Sequence, residues 1–228
     1  MLTKKLVAWN KNLATGKDTN GSTPLHFAAG LRRQSRGGSV CRRVLKANMA
    51  ALYEPDNDGL FPIHVAASVG ASQAISLFVE MCPSSAGLRD ADGRTFLHLS
   101  VVKKQPGAVS YACRNRKLAW ILNMQDNDGN AALHLAVKAG SIRAFSTLYG
   151  NRQVDLNLTN AEGQTPRDIA EYNVPPGLFY TLNSEYRIRW ALRVIGGQSG
   201  VTRKDHFKKS YNDMHGVKSD YSWIKMRA

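Results

Sequence analysis

Short apolar blocks of one pattern recur along the chain. Four of them place histidine directly after an aliphatic residue and continue with mostly apolar positions. The five blocks are TPLHFAA from Thr23, FPIHVAA from Phe61, TFLHLSV from Thr95, AALHLAV from Ala131 and TPRDIAE from Thr165. In the first block Leu25, Ala28 and Ala29 lie at i, i+3 and i+4, so the pattern predicts a short helix with one buried face. Thr23 suits the N-cap of that helix, and Pro24 suits its first position.

A polar turn precedes each block. These turns are DTNG at 18–21, DNDG at 56–59, DADG at 90–93, DNDG at 126–129 and NAEG at 160–163, and their glycines are 38, 34, 36 and 34 residues apart. In an Asp-x-x-Gly turn the carboxylate accepts hydrogen bonds from nearby backbone amides, and glycine supplies a positive φ. A second apolar stretch, such as 74–81 or Ile142–Tyr149, completes each unit. Units of about 34 residues must stack, because a turn and two short helices cannot bury their own apolar faces.

These features resemble the ankyrin repeat, whose signature is the Thr-Pro-Leu-His block at 23–26. The resemblance implies an all-α fold, a solenoid of stacked helix-turn-helix units with hairpin-like turns. Ankyrin repeats are expected over 18–182, with units that begin near 18, 56, 90, 126 and 160. The stretches EPDNDGLFPIHVAASVGA, ILNMQDNDGNAALHLAVKAG and VDLNLTNAEGQTPRDIA are similar to plant ankyrin proteins of the accelerated-cell-death type. Those proteins carry a membrane-spanning PGG domain, which we expect this chain to lack.

The start of the chain is expected to differ from a complete unit. Leu2, Leu6 and Trp9 lie near i, i+4 and i+7, the spacing of one helix face. We interpret 1–17 as the remnant second helix of a preceding unit, and the chain as the truncated product of a longer protein. An uncapped apolar edge would follow, since solenoids need a polar outer face at each end.

The fifth unit and the region after it are polar. Arg167 and Glu171 stand where the fourth unit has Leu133 and Val137, which suits a terminal unit. We expect 183–228 to form a basic helix over 184–196, followed by a disordered tail. Residues 184–228 contain ten Lys or Arg against four Asp or Glu.

Composition and motifs argue against catalysis. The three cysteines are far apart, so neither a disulfide framework nor a zinc site is expected. We also find no nucleophile elbow, no paired active-site carboxylates and no phosphate-binding loop, and we predict no catalytic residues and no cofactor. The histidines occupy one repeat position and are interpreted as structural; they are His26, His64, His98 and His134. The turn aspartates lack the glutamate of a calcium loop, so no metal is predicted.

A protein partner is therefore the expected ligand, bound on the concave face that turn tips and first helices form in ankyrin arrays. The tip residues expected to contact it are Asn20, Asp58, Leu60, Asp92, Arg94, Asp128, Asn130, Glu162 and Gln164. The family resemblance implies signalling in plant defence or cell death, in the cytoplasm and at the cytoplasmic face of the plasma membrane. We expect no small-molecule substrate and no nucleic-acid binding.

The net charge of +14 keeps an alternative open. A basic chain is attracted to anionic surfaces, and the region after the repeats is rich in arginine. Peripheral binding to an anionic membrane would use Arg187, Arg189, Trp190 and Arg193 together with the tail.

Overall fold

Helix pairs follow one another along the chain in the computed structural model. The structure describes residues 14–31, 37–172 and 184–194, with the side chains of 37–39 left outside that description. The first helices of successive units are α1 (Pro24–Ala29), α3 (Pro62–Val69), α5 (Phe96–Val102), α7 (Ala132–Lys138) and α9 (Pro166–Tyr172). The second helices are α2 (Gly37–Ala47), α4 (Ser72–Met81), α6 (Pro106–Arg114), α8 (Ile142–Tyr149) and α10 (Ser184–Val194). Short 3₁₀ helices follow three of the second helices, at Ala50–Tyr53, Pro83–Gly87 and Arg116–Ile121.

The helices stack in two parallel rows. Each first helix packs against the first helix of the next unit, from α1 through to α9, and each second helix packs against the next second helix, from α2 through to α10. Within each unit the two helices also pack on each other. Over the described residues, extended pairing is limited to a single bridge between Gln125 and Ala131. The fold is therefore the predicted all-α solenoid of stacked helix-turn-helix units.

One apolar core runs through the whole stack. The aliphatic residue before each histidine is fully or almost fully buried, as Leu25, Ile63, Leu97 and Leu133 show. Burying a side chain of this size contributes about 1.5–3 kcal/mol. Alanines such as Ala67 are also fully buried, and their small size lets neighbouring helices approach closely. The repeated pattern thus supplies each unit with the same interlocking surface.

Helix α10 occupies the second-helix position of the fifth unit. It packs against α9 of its own unit and against α8 of the fourth unit. Its residues Ile188 and Leu192 lie four apart on one face, and both are buried in the common core. The expected division ended the repeats at 182 and placed a basic helix after them; in the structure that helix packs on α8 and α9. Arginines occupy much of the rest of α10, so its narrow apolar face is difficult to recognise from the sequence.

The remaining predictions about the chain ends cannot be compared with the structure. The remnant helix proposed over 1–17 lies mostly outside the described residues, and the tail expected after residue 196 lies wholly outside them. Within the described part, Ala14 is buried in the core, and its carbonyl oxygen accepts a hydrogen bond from Asn48 Nδ2 at 3.4 Å.

Candidate interaction surface

Each polar turn is closed by its first side chain. Asp56 Oδ1 accepts hydrogen bonds from the amides of Asp58 at 3.0 Å and Leu60 at 2.8 Å. The same two bonds recur at Asp18, Asp90, Asp126 and Asn160. The glycine of the turn has a positive φ, which is +75° at Gly59. The first residue of each turn is thus committed to local structure, and the third residue stands at the exposed tip.

Neighbouring turns are joined to each other through the backbone. The amide of Asn57 donates to the carbonyl oxygen of Asn20 at 2.9 Å, and the amide of Ala161 donates to that of Asp128 at 2.9 Å. The amide of Asn127 makes the same bond to Asp92 at 3.0 Å. These bonds join the first turn to the second, the third to the fourth and the fourth to the fifth, so each turn is tied to at least one neighbour and its side chains are presented on an ordered scaffold.

The histidines connect each unit to the next. His98 Nδ1 accepts a hydrogen bond from the amide of Thr95 at 3.1 Å, so the ring proton must lie on Nε2. His98 Nε2 then donates to the carbonyl oxygen of Asn130 in the following unit at 3.0 Å. His26 and His134 make the equivalent bonds, to Leu60 and Gln164.

The second unit shows a variation on this link. His64 Nδ1 accepts from the amide of Phe61 at 3.2 Å, but Nε2 contacts the carbonyl oxygen of Leu88, at 3.1 Å. Leu88 lies two residues before the turn at Asp90. The other histidines instead contact the carbonyl oxygen of the residue directly after the turn glycine. The ring therefore still joins two units through a backbone carbonyl.

Burial keeps the rings of His64, His98 and His134 neutral. Desolvation lowers the pKa of His64 from 6.5 to about 4, although the nearby Asp90 carboxylate acts in the opposite direction. Desolvation likewise lowers the pKa of His98 and of His134. A neutral ring is the form that can accept at Nδ1 and donate at Nε2, so the structural interpretation of the histidines agrees with their geometry and their pKa shifts.

Asp168 takes the histidine position in the fifth unit. One of its carboxylate oxygens accepts hydrogen bonds from the amide of Thr165 at 2.9 Å and from its hydroxyl at 2.7 Å. It thereby reproduces the Nδ1 half of the histidine arrangement. A carboxylate cannot reproduce the Nε2 half, because it has no proton to donate to a backbone carbonyl.

The predicted tip residues differ in solvent exposure. Five are exposed, namely Asn20, Asp58, Asp92, Asp128 and Glu162. Leu60, Arg94 and Gln164 are half-buried, whereas Asn130 is only 1% exposed. Asn130 Oδ1 accepts a hydrogen bond from Asn160 Nδ2 at 3.2 Å, so its side chain links two turns. The residue after the turn glycine therefore lies closer to the core than the sequence pattern indicated.

Arg94 pairs with the acidic residues of the third turn. Its guanidinium contacts Asp90 at 2.9 Å and Asp92 at 2.6 Å. Among the described residues, the other exposed tip carboxylates, of Asp58, Asp128 and Glu162, have no ion pair. The acidic character of the row is thus concentrated in the second, fourth and fifth units.

The first helices add apolar side chains beside the tips, which the sequence analysis did not identify. The residue after each histidine occupies one register position, and at Phe27 this side chain is 60% exposed. Val65 and Leu135, at the same position, are half-buried. Leu31, Val102 and Tyr172 are further exposed apolar residues at or just beyond first-helix ends. Leu99, at this register position in the third unit, is buried, so the exposure of the position differs from unit to unit.

The four residues predicted to contact an anionic surface lie on α10 but have different environments. Arg193 forms a bidentate ion pair with Glu171, with two contacts of 2.6 Å. The Arg189 guanidinium lies 5.4 Å from the centre of the Tyr186 ring. Arg187 is exposed, and Trp190 is 57% exposed. Arg193 and Arg189 are thus partly engaged within the protein.

The described residues were also considered as a metal site, a membrane span and a source of reactive thiols, and they fit none of these. In that part of the chain no group of three or more His, Cys, Asp or Glu could hold a metal ion. None of the helices described there combines the length and apolar character needed to cross a bilayer. Burial raises the pKa of the Cys41 and Cys113 thiols to about 11, which leaves them protonated and poorly nucleophilic at neutral pH.

Comparison with known proteins agrees with this architecture. A family model of ankyrin repeats in three copies matches residues 63–173. The chain is an ankyrin-repeat protein. Ankyrin arrays are generally non-catalytic modules for protein–protein interaction.

Several curated proteins are similar to this ankyrin chain. Protein ACCELERATED CELL DEATH 6 of Arabidopsis thaliana is 31% identical over 185 residues, which are 81% of this chain and 26% of that protein. Neurogenic locus notch homolog protein 1 of Homo sapiens is 31% identical over 156 residues, covering 63% of this chain and 6% of that protein. A transient receptor potential cation channel subfamily A member 1 homolog of Caenorhabditis elegans is 31% identical over 118 residues, or 50% of this chain and 9% of the channel. The chain thus spans a small part of each relative.

Proposed function

We propose that this ankyrin array binds a protein partner on the surface formed by its turn tips and first helices. The observation that carries the proposal is the row of exposed tip side chains, on turns that are each hydrogen-bonded to at least one neighbouring turn. A binding surface that is ordered before the partner arrives loses less conformational entropy on association. The exposed ring of Phe27 and the neighbouring apolar residues supply buried area, and the tip carboxylates supply specificity.

The cellular setting that we propose is control of cell death or defence in a plant, in the cytoplasm and at the inner face of the plasma membrane. This part rests on the likeness to ACCELERATED CELL DEATH 6, which extends over 81% of the chain. The likeness to notch homolog 1 supports a signalling role of a more general kind.

Binding to an anionic membrane through α10 remains the alternative function. The exposure of Trp190 and Arg187 on the same helix favours it, because aromatic and basic side chains together suit a membrane interface. The ion pair between Arg193 and Glu171 and the contact between Arg189 and Tyr186 weigh against it.

Charge reversal at the tips tests the proposal. The variant Asp58→Lys, Asp128→Lys, Glu162→Lys changes exposed carboxylates that do not close a turn. Its matched control is Arg114→Glu, Arg116→Glu, Arg152→Glu, which reverses the same number of charges far from the tips. Both full-length variants are compared with the unmodified chain for capture of proteins from a plant-cell extract, followed by calorimetry with the purified partner.

We expect the tip variant to bind the partner at least about tenfold more weakly, while the control binds normally and both retain their helical circular dichroism. Equal affinity of the tip variant and the unmodified chain would refute the proposal. Tight binding to anionic vesicles, abolished by Arg187→Glu with Arg189→Glu, would favour the membrane alternative.

A further inference from the structure

A groove of about 430 Å³ lies between α8 and α10, on the second helices of the fourth and fifth units. Its lining includes the aromatic residues Phe145, Tyr149, Tyr186 and Trp190, the aliphatic Ile142 and the cationic Arg187. Phe145 is buried, whereas Trp190 is 57% exposed, so the groove has an apolar floor and an accessible aromatic wall. The groove therefore lies on the row of second helices, away from the first helices that carry the surface proposed above.

The walls of this groove are held in place by internal contacts. The Phe145 and Tyr149 rings stack with their centres 5.1 Å apart. The Tyr149 hydroxyl donates a hydrogen bond to the carbonyl oxygen of Ala191 at 3.2 Å, which ties α8 to α10 across the groove. The Arg189 guanidinium lies over the Tyr186 ring. An ordered aromatic wall can receive a ligand with little loss of side-chain entropy.

The charge of the groove is positive. Its lining contains one cation, Arg187, and no carboxylate. Glu171, on α9, is held in the bidentate pair with Arg193, and Glu185, on α10 beside Tyr186, does not line the groove. Arg143, which is exposed and follows the lining residue Ile142 on α8, adds positive charge close to the groove. A ligand for this groove must therefore be apolar in part and acidic in part.

We propose that the groove binds an amphipathic segment of a protein partner, with bulky apolar side chains on one face and acidic residues beside them. Tryptophan, tyrosine and arginine are the residue types that dominate the energetics of protein interfaces, and all three line the groove. A groove between two packed helices suits an amphipathic helix, whose apolar face would lie on Phe145 and Trp190. Arg187 would form a charge-assisted hydrogen bond with a carboxylate of that segment. This site is separate from the surface under Proposed function and does not depend on it.

Charge also argues against occupation of the groove by this chain's own tail. Residues 197–228 contain seven Lys or Arg and three Asp. A segment with that excess of positive charge would be repelled by Arg187 and its neighbours, and the same holds for the tail of a second copy. An acidic partner is thus the occupant that the charges favour.

A nearby concavity provides a control for simple electrostatic attraction. It has a volume of about 730 Å³ and is lined by Arg114, Arg116 and Arg152, but by no aromatic side chain. If positive charge alone attracted acidic peptides, this concavity should bind them at least as well as the groove. The proposal requires that it does not.

The test uses a displayed library of random peptides, selected on the full-length chain and counter-selected on the full-length variants Trp190→Ala and Arg187→Glu. Binding of the selected peptides is then measured by fluorescence anisotropy against the unmodified chain, each of those two variants and the control Arg152→Glu. A synthetic copy of residues 201–228 and vesicles of anionic phospholipid serve as competing probes. Circular dichroism checks that every variant is folded.

We expect groove-dependent peptides to be enriched in Asp or Glu together with Leu, Ile, Phe or Trp. Their affinity should fall about tenfold or more in Trp190→Ala and in Arg187→Glu, and should be unchanged in Arg152→Glu. Recovery of no groove-dependent peptide, or enrichment in Lys and Arg, would overturn the proposal. Stronger binding of the 201–228 peptide would assign the groove to the chain's own tail, and vesicle binding lost in Trp190→Ala would assign it to a membrane; either result also overturns the proposal.

Discussion

His98 lies where the third and fourth units meet, and its ring bonds to both. Nδ1 accepts from the amide of Thr95, and Nε2 donates to the carbonyl oxygen of Asn130. Few side chains can accept and donate at this separation, which explains why one residue type recurs at four of the five positions. The sequence pattern was sufficient to predict this role, because a residue that recurs at a fixed place in a repeat is more often structural than chemical.

Replacement of His98 tests that role. We expect His98→Ala to lower the free energy of unfolding by about 1–3 kcal/mol, since the amide of Thr95 and the carbonyl of Asn130 would lose buried partners. Lys103→Ala, an exposed change just beyond α5, should alter stability by about 0.5 kcal/mol or less. Chemical denaturation measures both variants. A His98→Ala protein as stable as the unmodified chain would contradict the hydrogen-bond account.

The lowered pKa of His64 predicts a pH dependence of stability. Below pH 6.5 the unfolded chain binds a proton at this ring, whereas the folded chain does not until the pH nears 4. Stability from this group is therefore fully present above pH 6.5 and is lost as the pH falls toward 4, by about 3 kcal/mol in all. Urea denaturation between pH 7 and pH 4 should show a weaker pH dependence in His64→Gln than in the unmodified chain. Equal slopes for the two proteins would rule out this contribution.

Asn130 shows where residue-level prediction reached its limit. The repeat pattern assigned it to the exposed tip, but it is buried and bonded to Asn160. Sequence periodicity gives the register of a turn, whereas the depth of each position depends on how closely the next turn packs. Phe27 is the opposite case: an apolar residue beside a core histidine that is mostly exposed.

At the level of the element, α10 is the helix whose place in the array the sequence did not specify. Its sequence alternates arginine with apolar residues, so its buried face consists of little more than Ile188 and Leu192. A pattern so narrow does not distinguish an interfacial helix from the second helix of a repeat. In the structure α10 packs on α8 and α9, which makes it the second helix of the fifth unit.

Two substitutions on α10 test its membership of the array. Leu192 is fully buried, so Leu192→Ala should lower the free energy of unfolding by about 2–5 kcal/mol. Val194 is 59% exposed, so Val194→Ala should change it by about 0.5 kcal/mol or less. Thermal and chemical denaturation of the two variants provide the comparison. If both are as stable as the unmodified chain, α10 does not contribute to the folded array.

The turns were predicted more completely than α10. Asp-x-x-Gly fixes the local hydrogen bonds by itself, and all five glycines have positive φ. The stacking of turns also explains why some of these glycines cannot be replaced. A Cβ at Gly129 would lie 2.5 Å from the amide nitrogen of Ala161 in the next turn.

Turn stacking can be tested with a pair of glycine variants. Gly129→Ala should destabilise the chain by more than about 1 kcal/mol, because it adds both φ strain and a backbone collision. Gly16→Ala is the control, since a Cβ there meets nothing within 4 Å. Similar melting temperatures for the two variants would contradict the close packing of the fourth and fifth turns.

Across the whole molecule, the stack distributes different chemistry to its two helix rows. The first helices and tips present carboxylates and exposed apolar residues, and α8 and α10 enclose an aromatic groove with a positive charge. The repeat in the sequence was enough to predict the solenoid and the row of tips. It could not predict the groove, since the lining comes from helices in two units whose spacing is set by packing.

Binding of a partner across the tips and first helices can be mapped by backbone amide hydrogen exchange of the full chain, with and without the partner identified by the tip-charge experiment. We expect slower exchange in the partner complex at the turns near 18–22, 56–60, 90–94, 126–130 and 160–164 and in the first helices, with little change in α4 and α6. Slower exchange confined to α10, or unchanged exchange at the turns, would contradict it.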